Sequence, residues 1–299
     1  TGAEVLIVDD LQINNIVNII TNVNLSEFKR KLYSNFVLER IQLLRENNIY
    51  INNLDARDLT GLQRVFSDFQ PTKAFHLAAI SSATESNLNP NLAYDIQINS
   101  LRNLLSLCTM KNSSCNYVAF MSSSTIYGDF ETEVVDERVR PKPRGVYANG
   151  KYIGERMVRE AQALQGLTYS IIRPSALYGI RCISGRVSQK FVENALEGIP
   201  LQLEGGGDGR LDFTHVDDLV EGIIRAASLE NGINRTFNIT FGNARSILEL
   251  ANIIKDVIPK VDLQIAPPAP EKPKRGTLSV KKSQTLLGFY PKNNIENAY

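Results

Sequence analysis

The chain has no tryptophan, only two histidines, His76 and His215, and three cysteines, Cys108, Cys115 and Cys182. An odd cysteine count without metal-ligand spacing argues against a disulfide framework and against a zinc site, and is the usage expected in a reducing, cytoplasmic setting. No run approaches the roughly 18 apolar residues of a membrane span, and the first residues lack the basic stretch that opens a secretory signal. Charge of one sign is missing too: 33 Lys and Arg against 32 Asp and Glu leave a formal net charge of +1. Such a chain projects no broad field toward nucleic acid or an anionic membrane, so any anion has to be bound by local groups. Glycine clusters are also scarce. The one at Glu204–Gly209 follows a short strand candidate and leads into another, so it cannot act as a strand-to-helix phosphate loop.

What is present is an ordinary globular mixture, 43% apolar and 22% charged, over 299 residues, long enough for two lobes. VLIV reads as a strand that ends in Asp9 and Asp10. LSEFKRKLYSNFVLERIQLL places Phe28, Leu32, Phe36, Val37, Ile41 and Leu44 on one helical stripe. There follow a strand (IYINNL), a helix opened by Thr60, a strand (KAFHLAA), a long helix near residues 91 to 111, and a strand (YVAFMSS). This alternation predicts an α/β fold: a Rossmann-like doubly wound parallel sheet with ligands gathered beyond the carboxyl ends of its strands. Past Pro174 the pattern loosens into a smaller α+β lobe. The expected division is therefore 1–173 and 174–299, with the two parts interleaved.

Asp9 and Asp10 admit three readings. A phosphoacceptor receiver domain begins with a similar strand and carries another Asp at about the distance of Asp55, but INNLDARD is too polar to be the strand that such a domain requires. A surface pair in a turn is the plainest reading. In a dinucleotide fold, an acid at this strand end accepts hydrogen bonds from a ribose 2'-hydroxyl, favouring NAD because a 2'-phosphate would be repelled. A second constellation is MSSSTIYG at a strand end followed by VYANGK. Tyr147 and Lys151 are four apart and share a helical face. A Lys ammonium beside a phenol favours phenolate, the form that serves as a base near neutrality. A strand-end serine is small enough to hydrogen-bond the same substrate oxygen.

Ten segments in order, VLIVDD, NLDARD, AFHLAA, INSLRNLL, MSSSTIYG, YANGK, IIRPSALYG, GGGDGRLDFTHVDDLVEGI, FNIT and LLGFYPK, resemble the extended short-chain dehydrogenase/reductases, in particular the nucleotide-sugar epimerases and dehydratases. The resemblance implies NAD as cofactor, with Asp9 at the adenosine ribose, Asp10 among the cofactor-binding residues, Asp55 and Ala56 at the adenine, and Leu77, Ala78 and Ala79 lining the cofactor. Asn99 resembles the family's helix Asn near the active site. Ser123, Tyr147 and Lys151 become the catalytic set, with Ser123 favoured over Ser122 and Ser124 as the residue four before the Tyr-Gly pair; Tyr147 and Lys151 also face the cofactor. In the family VLIVDD is the second strand, preceded by a first strand and a glycine-rich loop, so the sequence is expected to begin inside the fold, to hold NAD poorly and to expose a sheet edge.

On the substrate side the resemblance implies Ser124, Thr125, Arg210 and Arg275, with Lys274 the rival of Arg275, and with Leu211 inserted where the family has Arg directly before Asp-Phe. Ala176 stands where the family often has Asn. Sugar 4,6-dehydratases carry Asp-Glu at the positions of Ser124 and Thr125, and uronate decarboxylases a Glu at Thr125, so these enzymes' carboxylates are missing. The Lys-Arg-Tyr pattern of the helix before INNLDARD resembles members acting on UDP-hexoses or UDP-hexuronates. The expected activity is a 4-epimerase on a UDP-sugar, with a ketosugar reductase or a non-catalytic nucleotide-sugar binding protein as alternatives. The family also implies a homodimer built on the helix near 91 to 111 and the Tyr147 helix.

Overall fold

A computed structural model describes residues 2–12, 15–269 and 273–297. The first part of the chain runs β1 (Leu6–Asp9), α1 (Ile16–Thr21), α2 (Glu27–Glu46), β2 (Tyr50–Asn53), α3 (Leu59–Phe69), β3 (Lys73–His76), α4 (Ala83–Leu88), α5 (Pro90–Tyr94), a π-turn (Asp95–Asn99), α6 (Ser100–Cys108), β4 (Tyr117–Met121), β5 (Val134–Val135), α7 (Gly145–Gln165) and β6 (Thr168–Arg173). It continues with β7 (Ala176–Tyr178), α8 (Val187–Leu196), β8 (Leu201–Glu204), β9 (Arg210–Leu211), β10 (Phe213–His215), α9 (Val216–Ser228), β11 (Arg235–Asn238), β12 (Arg245–Ser246), α10 (Ile247–Val257), β13 (Leu263–Ala266), β14 (Thr277–Leu278) and α11 (Lys281–Leu287).

Local chemistry sets the helix starts. Ser26 Oγ accepts from the Lys29 N–H to open α2, and Asp58 accepts from the Gly61 N–H to open α3, so α3 starts two residues earlier than the Thr60 cap would suggest. Ser246 and Glu249 close a reciprocal capping box on α10.

Four strands form one parallel sheet in the order β11-β6-β4-β3, and β1 pairs with β2, also in parallel. Shared strand direction brings the carboxyl ends of β3, β4 and β6 to one edge, where His76, Met121 and Arg173 sit. Successive residues of β6 face opposite layers. Ile171 joins Leu101, Leu105, Val118, Phe120 and Val158 under α6 and α7. Ile172 joins Leu219, Ala226, Phe237, Ile239 and Phe289 under α9 and α11. Both residues are fully buried, each worth about 1.5–3 kcal/mol of apolar burial. β11 lies in the second part of the chain, yet it completes this sheet beside β6. A third core, with Tyr178, Phe191, Leu201, Phe213 and Leu250, joins β7, α8, β8, β10 and α10.

The doubly covered parallel sheet is the fold class read from the sequence, with two local differences. The long helix expected at 91 to 111 is interrupted by the π-turn, which lies where Gln97 packs on Gly150 of α7; a Cβ at Gly150 would stand 2.7 Å from Gln97 Oε1. On α2 the buried pair is Tyr33 and Val37, whereas Phe28 and Ile41 of the expected stripe are 39% and 51% exposed.

Candidate active site

The serine run is positioned by continuing the β4–β6 ladder past the end of β4. Ser122 N–H donates to Ile172 O and Ser124 N–H to Pro174 O, each at 2.8 Å. Extended backbone sends alternate side chains to opposite faces, and the three serines have three different partners. Ser122 Oγ donates to Glu155 Oε1 at 2.7 Å. Ser124 Oγ accepts from Arg275 Nη2. Ser123 is extended at φ −161° and ψ 151°, accepts from Thr125 N–H at 3.1 Å and from Thr125 Oγ1 at 3.0 Å, and its hydroxyl is close enough to the Tyr147 phenol to lower that group's pKa. Ser123 is thus the serine that meets Tyr147. The turn closes at Gly128, φ +70°, where a Cβ would lie 2.2 Å from Lys142 O.

Tyr147 and Lys151 share a face of α7, with Lys151 Nζ 5.8 Å from the phenol ring centre. The electrostatics differ from the expectation that lysine depresses the phenol. Burial pushes the Tyr147 pKa above its ordinary value; the Ser123 hydrogen bond and then the charges of Arg186 and Arg275 act in the opposite direction. Lys151 Nζ instead donates to Met121 O at 2.7 Å, and burial lowers its own pKa to about 8. The cations acting on the phenol are therefore two arginines. Neither Arg186 nor its role stands out in the sequence, because it lies in a glycine- and serine-containing loop with no motif.

A buried network underlies this arrangement. Arg173 donates from Nε and Nη2 to the two oxygens of Glu155 at 2.8 and 2.7 Å, and from Nη1 to Tyr127 Oη at 2.9 Å; Tyr127 in turn donates to Asn238 Oδ1 at 2.8 Å. Glu155 stands two turns beyond Tyr147 on α7, so the network ties the helix carrying the phenol to the strand end carrying the serines.

Asp9 and Asp10 cap the tip of β1, Asp9 accepting from Leu11 N–H at 2.7 Å and Asp10 from Gln12 N–H at 3.1 Å. Asp55 is gripped by Arg57, whose Nη1 also donates to Asp95 Oδ2 at 2.6 Å, and this holds the Asp55 carboxyl below its usual range. Asn103 Nδ2 donates to Ala56 O at 3.3 Å and to Arg57 O at 2.8 Å, fixing the loop after β2. Leu77, Ala78 and Ala79 follow β3; Leu77 is 61% exposed and borders an apolar groove with Phe75, Met121 and Ile172. Asn99 donates to Asp95 within its own helix. Gln97 is another polar side chain buried against α7, 3% exposed with neither amide atom paired among the described residues. A polar residue in a turn of apolar helix was its only sequence signal. Arg275 reaches the serine turn, while Lys274 is exposed and contributes its backbone to Asp129 and Phe130. Arg210 donates to Ala244 O at 2.6 Å and lies 3.6 Å from Glu249, with no contact to the Ser124–Arg275 pair.

The donor set fits a dinucleotide cofactor without a 2'-phosphate. Acceptor carboxylates stand at the β1 tip, an apolar groove runs beside β3, and the orphaned Gln97 amide lies beside the Tyr147–Lys151 helix. The family model for the NAD dependent epimerase/dehydratase family matches residues 15–240. The chain belongs to this NAD-dependent family. Its cofactor is NAD. Among curated family members, the chain is 27% identical over 227 residues to an uncharacterized UDP-glucose epimerase of Bacillus subtilis, covering 75% of this chain and 70% of that protein. It is 28% identical over 225 residues to UDP-glucuronic acid decarboxylase 1 of Danio rerio, covering 73% of this chain and 53% of the relative. The fold matches the UDP-glucose 4-epimerase of Thermotoga maritima solved with UDP-glucose, at a TM-score of 0.83 and 24% identity over 99% of this chain and 88% of that one.

Proposed function

We propose that the chain is an NAD-dependent 4-epimerase of a UDP-hexose or UDP-hexuronate. The observation that carries this reading is the company kept by the reacting hydroxyls: Ser123, Thr125, Tyr147, Arg275 and Arg186 are neutral or cationic, and among the described residues no carboxylate partners Ser123 or Tyr147. Elimination of water and loss of carbon dioxide are the reactions for which family members carry acids at the positions of Ser124 and Thr125. Here Thr125 spends its hydroxyl on Ser123. Carbinol oxidation needs one base and one hydrogen-bonding hydroxyl.

NAD, when bound, supplies a hydride sink and source at the sugar carbon. The remaining work belongs to side chains. Tyr147 takes the C4 hydroxyl proton, helped by the positive charge of Arg186 and Arg275; Ser123 hydrogen-bonds the same oxygen; Lys151 holds the carboxyl end of β4 through Met121 O and faces the cofactor with Tyr147. Asp9, Asp10, Asp55, Ala56 and the Leu77–Ala79 turn bind the dinucleotide, and Arg275 with Ser124 and Thr125 meets the nucleotide-sugar; Arg210 is a further diphosphate candidate. A homodimer through α6 and α7 is part of this reading, supported by Ile153 and Leu164, 38% and 76% exposed on α7.

A second reading, UDP-glucuronate decarboxylation, draws on the likeness to the Danio rerio enzyme. Incubation with UDP-glucose, UDP-galactose, UDP-glucuronate and UDP-galacturonate, followed by NMR, separates the two. C4-inverted product supports the epimerase; a UDP-pentose with released carbon dioxide refutes it.

A further inference from the structure

The α1–α2 pair follows the acidic tip of β1, yet its best-satisfied polar contacts are made to the other lobe. Ile183 packs with Ile19, Tyr33 and Val37. Tyr33 Oη donates to Glu193 Oε1 at 2.6 Å, and Gln189 Nε2 donates to the same oxygen at 2.7 Å. Lys29 Nζ lies 3.6 Å from Glu193 and 3.2 Å from Glu197. Glu193 is 3% exposed. A carboxylate that deep is tolerated only with its oxygens satisfied, and the neighbours that satisfy it come mostly from α2. A second contact lies two turns further along: Arg40 Nη2 donates to Arg181 O, and the Arg181 guanidinium stands 3.8 Å from Glu39. Arg181 has φ +58°, a conformation that a non-glycine residue keeps only when its surroundings hold it.

The Arg40, Glu39 and Ile183 contacts fall on one segment, residues 179–186, and the Lys29 and Tyr33 contacts fall on α8, the helix that follows it. The segment leaves β7 and ends at Arg186, the residue that precedes α8. Arg186 is also one of the two cations whose charge reaches the Tyr147 phenol. The segment therefore ends at a charge that acts on the phenol, and α2 packs on it at Arg181 and Ile183.

We propose that Lys29, Tyr33 and Arg40 of α2, clasping Glu193 and the Arg181 carbonyl, fix the 179–186 segment as one wall of the sugar pocket, so that α2 is a specificity-determining element for the nucleotide-sugar. This rests on the nucleotide-sugar reading above. The residues act as positioning groups, through the segment and not on the reacting atoms.

The test uses the full chain, Tyr33→Phe, Arg40→Leu and Arg40→Lys, with steady-state kinetics on UDP-glucose and UDP-glucuronate beside hydrogen exchange. In Tyr33→Phe and Arg40→Leu, KM is expected to rise about tenfold, the size of one lost hydrogen bond to a charged or strained group, with kcat within twofold. The preference between the two sugars should shift, and Arg40→Lys should recover most of the KM. Exchange should quicken over 179–196 and stay unchanged over 168–173. Variants with wild-type KM and wild-type sugar preference in an active background overturn this proposal alone. Equal losses in kcat and KM with faster exchange throughout also overturn it, since they denote general destabilisation. A wild-type chain that turns over none of the four UDP-sugars overturns the epimerase reading and this proposal with it.

Discussion

Arg173→Met is the sharpest test of how the site is held together. Arg173 and Glu155 are 3% and 1% exposed, and the guanidinium meets the carboxylate through two bonds of 2.8 and 2.7 Å. Removing one partner of such a pair leaves a buried charge without its counter-ion, a loss of about 3–5 kcal/mol. Glu155 would retain the Ser122 hydroxyl at 2.7 Å and Arg159 at 3.5 Å, and Arg159 is 38% exposed and free to adjust, which favours the lower end of that range. At about 2.1 cal/mol/K per residue over 299 residues, a loss of about 3 kcal/mol lowers Tm by roughly 5 °C. Urea unfolding followed by circular dichroism measures it. Because the attraction within the pair does little more than offset desolvation, Glu155→Leu/Arg173→Met should lie within about 2 kcal/mol of wild type while each single variant is worse. Activity should fall in the single variants, since Ser122 binds Glu155 and adjoins Ser123. A loss under about 1 kcal/mol in Arg173→Met, or a double variant as unstable as the sum of the singles, would refute the argument.

Tyr147→Phe removes the α7 hydroxyl on which Ser123 acts and should lower kcat by at least about 100-fold with little change in Tm, measured by conversion of UDP-sugar and thermal melts. Lys151 has its folded pKa lowered by burial from 10.5 to about 8. The unfolded chain therefore holds more protons between those values, and this group makes stability rise with pH across that window, by on the order of 3 kcal/mol. Comparing urea midpoints at pH 7.5 and 10 for wild type and Lys151→Met checks this; the variant should lose that part of the rise, and an unchanged pH slope would count against it. Gly154→Ala puts a Cβ 2.3 Å from Phe120 Cζ, between α7 and β4, where Phe120 is 2% exposed. Overpacking there should destabilise by about 1–3 kcal/mol in the same urea assay.

The parts of the fold legible in the sequence are those with local signals. Alternating strands and helices, the apolar β4 and β6, and the i, i+4 spacing of Tyr147 and Lys151 each follow from patterns within a few residues. The serine run was readable as a strand end, and once β4 pairs with β6 the ladder alone decides which serine faces the phenol. What escaped depends on distant segments meeting. Arg186 near Tyr147, Asn103 under Ala56 and the α2 contacts with Glu193 involve partners separated by 39, 47 and 160 positions in the sequence, with no shared motif. The lysine turns from the phenol for a related reason. Spacing places Nζ near the ring, but the hydrogen bond it makes is decided by the carbonyl of Met121, which belongs to another element.

In the proposed reaction one carbinol carbon is oxidised and reduced within a single site. UDP-hexose and UDP-hexuronate labelled with deuterium at C4, incubated with the chain and NAD in ordinary water and followed by NMR, test it directly. C4-inverted sugar that keeps its deuterium is expected, with no net NADH accumulating. Product that has lost the label to solvent, or a pentose formed with release of carbon dioxide, would contradict it.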